Sequence, residues 1–251
     1  MINAFQIIDL DRTLFDTQLF VRSIGDELDL LEPGWGTELY NKFTTAYNHG
    51  ETFYIMRLLR QQKGDAWFDN LVDQAVSRAG LSNLVMPFLQ ERIEAAATIT
   101  SHRPAWGIMT YGNEIDQRLK CSLIGLDNAN IPFLISPTPN KSSVISSWQN
   151  SDGSFTLPEN FGGGVADVIT LEDDKLEAFA NMPTTGMYGY WLTDNRSDSY
   201  SGGARPSDNS DSNSANVNHH HQSSNNNNNV TAVDNLHDSL TAIRHNLSLL
   251  S

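Results

Sequence analysis

The stretch Phe5-Gln6-Ile7-Ile8-Asp9-Leu10-Asp11-Arg12-Thr13-Leu14-Phe15-Asp16 decides how the rest of the chain is read. Its apolar opening predicts a buried strand, and the strand runs out into two carboxylates one residue apart, then a hydroxyl residue and a turn. If the extended backbone continued, Asp9 and Asp11 would point the same way, and like charges that close are costly unless a cation or a proton lies between them. The pattern favours a Mg²⁺ site. The plainer reading is that both residues are turn or capping residues.

With 251 residues the chain is long enough for an α/β domain carrying a second, smaller unit. The formal net charge of −14 argues against binding a polyanion such as nucleic acid over a broad face, because phosphate neutralisation needs clustered Lys and Arg. A small anion held by local donors remains compatible with it. Cys121 is the single cysteine, so no internal disulfide can form. There is neither a basic leader nor an apolar run of membrane-spanning length, and the expectation is a cytoplasmic protein without membrane insertion.

After Asp16 the periodicity turns helical. Leu19, Ile24, Leu28 and Leu31 give a first stripe, and Glu32-Pro33-Gly34-Trp35-Gly36 breaks it. Further helices are predicted over 39–47, over 53–61, through Leu71, Val72, Ala75, Val76 and Ala79 up to Gly80, and from Pro87 toward Ala97. An all-helical block over 18–95 is therefore inserted straight after the first strand. Its aromatic residues Trp35, Tyr40, Phe43, Tyr47, Phe53, Tyr54, Trp67 and Phe68 suit either a ligand cleft or plain core, and such spacing more often means core.

A second strand, 105–109, ends in Thr110-Tyr111-Gly112-Asn113, where Gly112 allows close approach of a ligand. The helix beginning near Glu114, with Ile115, Leu119 and Leu123 as its stripe, offers free N–H groups to a phosphate. A third strand over 131–136 leads to Lys141 at the start of a helix over 142–148, where a cation is mildly unfavourable unless an anion is bound nearby. The polar segment 149–164 reads as a surface excursion or small hairpin. A fourth strand, 165–171, ends in Glu172-Asp173-Asp174 before a helix over 175–180, and a fifth strand spans 187–192. From 195 to 229 the composition collapses to Ser, Asn, Asp and Gly, too polar to order itself, and His219-His220-His221 there reads as adventitious metal binding at most. A helical pattern returns over 230–250 with Val233, Leu236, Leu240, Ile243 and Leu247.

Four strand ends thus carry, in order, Asp-x-Asp-x-Thr, Thr-x-Gly-Asn, a helix-initial Lys and an acidic triplet. In a parallel sheet wound with helices these ends share one edge, which is where open α/β sheets bind ligands. The order resembles that of the haloacid dehalogenase-like (HAD) hydrolase superfamily, with Arg12 where glycine is commoner. The resemblance implies a Rossmann-like parallel-sheet α/β core over 1–17, 96–194 and 230–251, an inserted all-helical C1-type cap over 18–95, and a disordered Ser/Asn-rich loop over 195–229. It implies a Mg²⁺-dependent phosphomonoester phosphatase acting on a small phosphorylated metabolite. Asp9 would be the nucleophile and Asp11 the general acid and base, with Thr110 and Lys141 completing the catalytic set. Thr13, Tyr111, Gly112 and Asn113 would bind the substrate. The metal would be held by Asp9, Asp11, Asp173 and Asp174, with Asp11 giving its backbone carbonyl and Asp174 favoured over Asp173 as the direct ligand. Alternatives are a phosphomutase, phosphonatase or dehalogenase of the same fold, or an idle scaffold that binds a partner.

Overall fold

A computed structural model of the protein describes residues 3–49, 51, 53–86, 106–127, 131–192 and 229–233. The chain runs β1 (Ala4–Ile8), α1 (Thr17–Leu31), α2 (Trp35–Asn48), α3 (Ile55–Lys63), α4 (Asp65–Ala79), α5 (Leu81–Leu84), β2 (Trp106–Tyr111), α6 (Glu114–Leu123), β3 (Phe133–Ser136), α7 (Lys141–Ser146), β4 (Phe155–Thr156), β5 (Val165–Ala166), β6 (Val168–Asp173), β7 (Met187–Leu192) and β8 (Val230–Val233). Short 3-10 turns stand at Glu159–Phe161 and Leu176–Phe179.

Six strands form one sheet in the order β3-β2-β1-β6-β7-β8, and every neighbouring pair is parallel. From β1 the chain builds outward through β2 and β3, then returns to build β6, β7 and β8 on the other side. The first strand is therefore the point where the winding reverses, and its C-terminal end opens into the crevice that such sheets use for ligands. Alternation along β1 sends Phe5 and Ile7 into the apolar cluster on one face of the sheet and Ile8 into the cluster on the other. The second of these also contains the buried residues of α1 to α5.

Helices α1 to α5 leave the sheet after Phe15 and come back at Val85. The two connections are tied together, since Asp16 N donates to Leu84 O at 2.8 Å and Met86 N donates to Leu14 O at 2.9 Å. Asp16 also caps α1, accepting from Leu19 N at 2.9 Å. Helices α1 and α2 cross at Gly25 and Gly36, so closely that a Cβ on Gly36 would lie 1.7 Å from the Gly25 carbonyl oxygen. The aromatic residues of the block divide: Phe68 is fully buried and Trp35 stacks on Trp67 with ring centroids 6.1 Å apart, whereas Phe43, Phe53 and Tyr54 face a cavity.

Several expectations are corrected. Residues 230–233 form an edge strand paired in parallel with β7, not the start of a helix: Val230-Thr231-Ala232-Val233 is rich in β-branched residues and the open edge of β7 takes it up. The remainder of that helical stripe, the helix from Pro87, the side chain of Tyr47 and residues 195–228 lie outside the described residues. Asn229, the last residue of the Ser/Asn-rich stretch, is firmly placed, donating to the carbonyls of Thr184 and Met187 at 3.2 Å each. The segment over 149–164 does make a small hairpin-like pairing, β4 with β5, but the predicted strand 165–171 is broken at Asp167 into β5 and β6. Only a 3-10 turn follows β6 where a helix over 175–180 is predicted. In α6 the buried face is Asp116, Gln117, Lys120 and Cys121, while Ile115 is 61% exposed, because this helix turns polar groups inward toward Asp11.

Candidate active site

Asp9 directly continues β1: its N–H donates to Glu172 O at 2.9 Å, which places it beside the end of β6. Its carboxylate meets Lys141 Nζ. Lys141 is the first residue of α7, whose start is fixed by the Asn140 side chain accepting from Ser143 N at 3.1 Å. The same ammonium lies 2.5 Å from Asp173 Oδ2, and Asp173 Oδ1 accepts from Lys175 N at 2.8 Å. Carboxylate oxygens of Asp9, Asp173 and Asp174 all lie within 4.8 Å of one another. Arg12 Nε stands 3.6 Å from Asp174 Oδ2.

The electrostatics follow from this crowding. Burial pushes the Asp9 carboxyl up to about 7; Lys141 pulls it down, and the charges of Asp173 and Asp11 push it up again. Asp174 rises to about 6, through burial and then through the charge of Asp9. Burial works against the Lys141 ammonium, yet Asp173 and Asp9 together hold it above its ordinary range. One lysine serves two carboxylates here. Arg12 and Lys175 add positive charge beside Asp174, yet the three carboxylates stay crowded around a single shared lysine. An oxygen-rich, anionic cluster of this kind fits a hard divalent cation such as Mg²⁺.

Thr110 lies at the C-terminal end of β2, two residues beyond Ile108, which pairs with Ile8. Its hydroxyl is buried and has no hydrogen-bond partner among the described residues, and the same holds for Thr13 Oγ1. Buried hydroxyls without partners are costly, so one at the end of the strand next to β1 and one in the turn after Asp9 suit a bound group rich in acceptor oxygens. Gly112 has φ +145°, and a Cβ there would lie 2.7 Å from Gln117 Nε2. Glycine is thus required both by backbone conformation and by space. Asn113 caps α6, accepting from Ile115 N at 3.0 Å and Asp116 N at 3.3 Å, and the Tyr111 carbonyl accepts from Gln117 Nε2 at 3.2 Å.

The Asp11 side chain has its own set of partners. The strand ends at Ile8, Arg12 takes a left-handed conformation with φ +60°, and the Asp11 side chain is not one of the acidic cluster. Instead its carboxylate receives Lys120 Nζ at 2.6 Å, Gln117 Nε2 at 2.9 Å and the Thr17 hydroxyl. Burial alone would raise this carboxyl, but Lys120, then Thr17 and Gln117, outweigh it and hold Asp11 below the usual carboxylate range. Lys120, Gln117, Thr17 and Arg12 are the site residues that sequence reasoning missed. A signal was present in α6, where Asp116, Gln117 and Lys120 recur at helical spacing on one face.

The structure thus gathers Asp9, Lys141, Asp173 and Asp174 into one cluster, buries the hydroxyls of Thr13 and Thr110 without partners among the described residues, and ties Asp11 to side chains of α6. Comparison with solved structures finds a match in a haloacid dehalogenase-like hydrolase from Burkholderia xenovorans, with a TM-score of 0.53 and 15% identity over 76% of this chain and 83% of that one. The fold is HAD-like. Two further structures with HAD names match less closely: a hydrolase from Xanthomonas campestris (TM-score 0.42, 14% identity, 76% and 81% of the two chains) and YfnB from Bacillus subtilis bound to magnesium (TM-score 0.43, 13% identity, 76% and 87%). No protein-family model and no curated protein matches the sequence. In the described part of this HAD-like chain, no helix is long and apolar enough to cross a membrane.

Proposed function

We propose that the protein is a Mg²⁺-dependent phosphatase that hydrolyses a small phosphorylated metabolite through a phosphoryl-Asp9 intermediate. The observation that carries this reading is the meeting of Asp9 with Lys141 inside a cluster of three carboxylates, with Thr110 and its unpartnered hydroxyl at the end of the neighbouring strand. An oxygen of the Asp9 carboxylate attacks phosphorus, the bond from phosphorus to the leaving oxygen breaks, and Asp11, protonated in the substrate complex, gives its proton to that oxygen as the alcohol departs. Water then attacks the phosphoryl group on Asp9, releasing inorganic phosphate and restoring the carboxylate. Lys141 orients the nucleophile, and the hydroxyls of Thr110 and Thr13 donate to phosphoryl oxygens. The carboxylate left on Asp11, which Lys120 favours, then takes the proton of the attacking water and so returns Asp11 to its protonated form. A divalent cation held by Asp9, Asp173 and Asp174 would offset the charge of the phosphoryl group.

In this reading 18–95 acts as a cap over a core of 1–17, 96–194 and 230–251, and a small phosphorylated molecule is the partner. The test is a Mg²⁺-supplemented screen of phosphorylated metabolites with wild type and Asp9→Asn. We expect turnover in the first and a loss of roughly 10⁴-fold or more in the second, as for other removed nucleophiles. Inactivity toward every ester, including a generic aryl phosphate, would leave an idle HAD-like binding scaffold in its place.

A further inference from the structure

Next to the acidic cluster lies a cavity of about 100 Å³ whose floor is formed by Asp11, Arg12 and Asp174 and whose far wall is apolar. That wall comes from the helical block: Val21 on α1, Phe43 on α2, then Phe53, Tyr54, Ile55 and Met56 at the start of α3. Ile55, Met56 and Val21 are buried, so this part of the wall is set by packing rather than by mobile surface side chains. Of the charged lining residues, Lys120 pairs with Asp11 at 2.6 Å and Arg12 faces Asp174 at 3.6 Å, while Lys175, Glu51 and Asp116 complete the set and leave carboxylates one ahead of cations.

We infer that the leaving group of the substrate is an uncharged alcohol with a compact apolar body no larger than a single ring. This rests on the phosphatase reading above and deepens it. A phosphoryl group seated at Asp9 has its leaving oxygen directed toward the cavity that Asp11 lines, and whatever is attached to that oxygen meets the phenylalanines. Apolar burial against Val21, Phe43, Phe53, Ile55 and Met56 favours such a body over a polyol, whose hydroxyls would meet polar lining side chains, Thr17, Asn113 and Gln117, already engaged within the protein. The size sets a ceiling: an apolar cavity of about 150 Å³ takes benzene, and this space of about 100 Å³ is smaller, so nothing larger than one ring is accommodated. A second phosphate or a carboxylate on the leaving group would face Glu51 and Asp116.

The experiment compares alkyl phosphates of similar leaving-group chemistry, benzyl phosphate against ethyl phosphate and glycerol 3-phosphate, alongside calorimetric binding of benzylphosphonate against methylphosphonate to the wild-type protein. We expect kcat/KM to favour benzyl phosphate by about 10-fold or more, the scale on which apolar pockets discriminate, and benzylphosphonate to bind tighter by a similar factor. Phe53→Ala should shrink the benzyl-to-ethyl ratio, and Phe43→Ala should do the same. Equal rates and equal binding across the series would overturn the inference while leaving the phosphatase reading intact. Preferential binding of benzylphosphonate with no turnover of any ester would do the reverse, upholding the cavity's preference and removing the phosphatase.

Discussion

Lys141 stands between Asp9 and Asp173, in contact with the first and 2.5 Å from the second, all three side chains being buried. A cation shared in this way neutralises less than the charge around it, and it is the main compensation that the cluster possesses. Removing it by Lys141→Met should destabilise the metal-free protein by about 3–5 kcal/mol near neutral pH, the usual cost of leaving buried carboxylates unpaired. The loss should shrink near pH 4, where the carboxylates take up protons. Denaturant unfolding at the two pH values checks it; equal losses at both would mean that packing, not charge, is what Lys141 supplies.

The raised carboxyl of Asp9 makes stability depend on pH with a definite sign. Its folded value of about 7 lies above the ordinary 3.8, so its contribution is fully present below the ordinary value and is lost as the pH rises through about 7. With chelator present, the melting temperature should therefore fall between about pH 5 and pH 8. Mg²⁺ should restore it at the upper end and do little at the lower, because protons and metal compete for the same oxygens. Asp174→Ala and Asp173→Ala should each raise the Mg²⁺ concentration required, and the larger shift identifies the more direct ligand.

Lys120→Met should move the limb of the pH–rate profile that belongs to Asp11 upward, by roughly one unit or more, since an adjacent cation typically lowers an Asp by 1–3 units. A pH profile that keeps its shape would show that Lys120 does not act through Asp11. Gln117→Leu removes one neutral donor and should shift the same limb by less.

Arg12 occupies a left-handed position that costs a residue with a side chain about 1–2 kcal/mol. Against that, its guanidinium faces the buried carboxylate of Asp174 at 3.6 Å, and removing it leaves that charge short of a partner. Arg12→Gly should accordingly lower the stability of the metal-free protein near neutral pH, with the loss shrinking near pH 4, in thermal or chemical unfolding. A gain at neutral pH would mean that the left-handed strain outweighs the charge of the guanidinium.

Much of this site is legible from sequence because each chemical residue ends an apolar run, and strand ends in a parallel sheet converge. Asp9, Thr110, Lys141 and Asp173 can be read that way. Lys120 and Gln117 cannot, for they reach Asp11 across 109 and 106 residues from the middle of a helix, where apolar periodicity is the habitual guide and misleads. The edge strand 230–233 is hidden for a related reason: its four residues are too short to show alternation, and the leucine-rich stripe after them drew the assignment toward helix. Arg12 is legible only in hindsight, as a residue with a side chain where the turn needs positive φ.

The crossing of α1 and α2 at Gly25 and Gly36 has a bearing on selectivity. Any side chain at Gly36 would strike the backbone of Gly25, so the helices must part, and α2 carries Phe43 with it away from the cavity wall. Gly36→Ala is therefore expected to change the shape of the cavity from a contact that does not line it, and, if the cavity holds the leaving group, to change the benzyl-to-ethyl ratio as well.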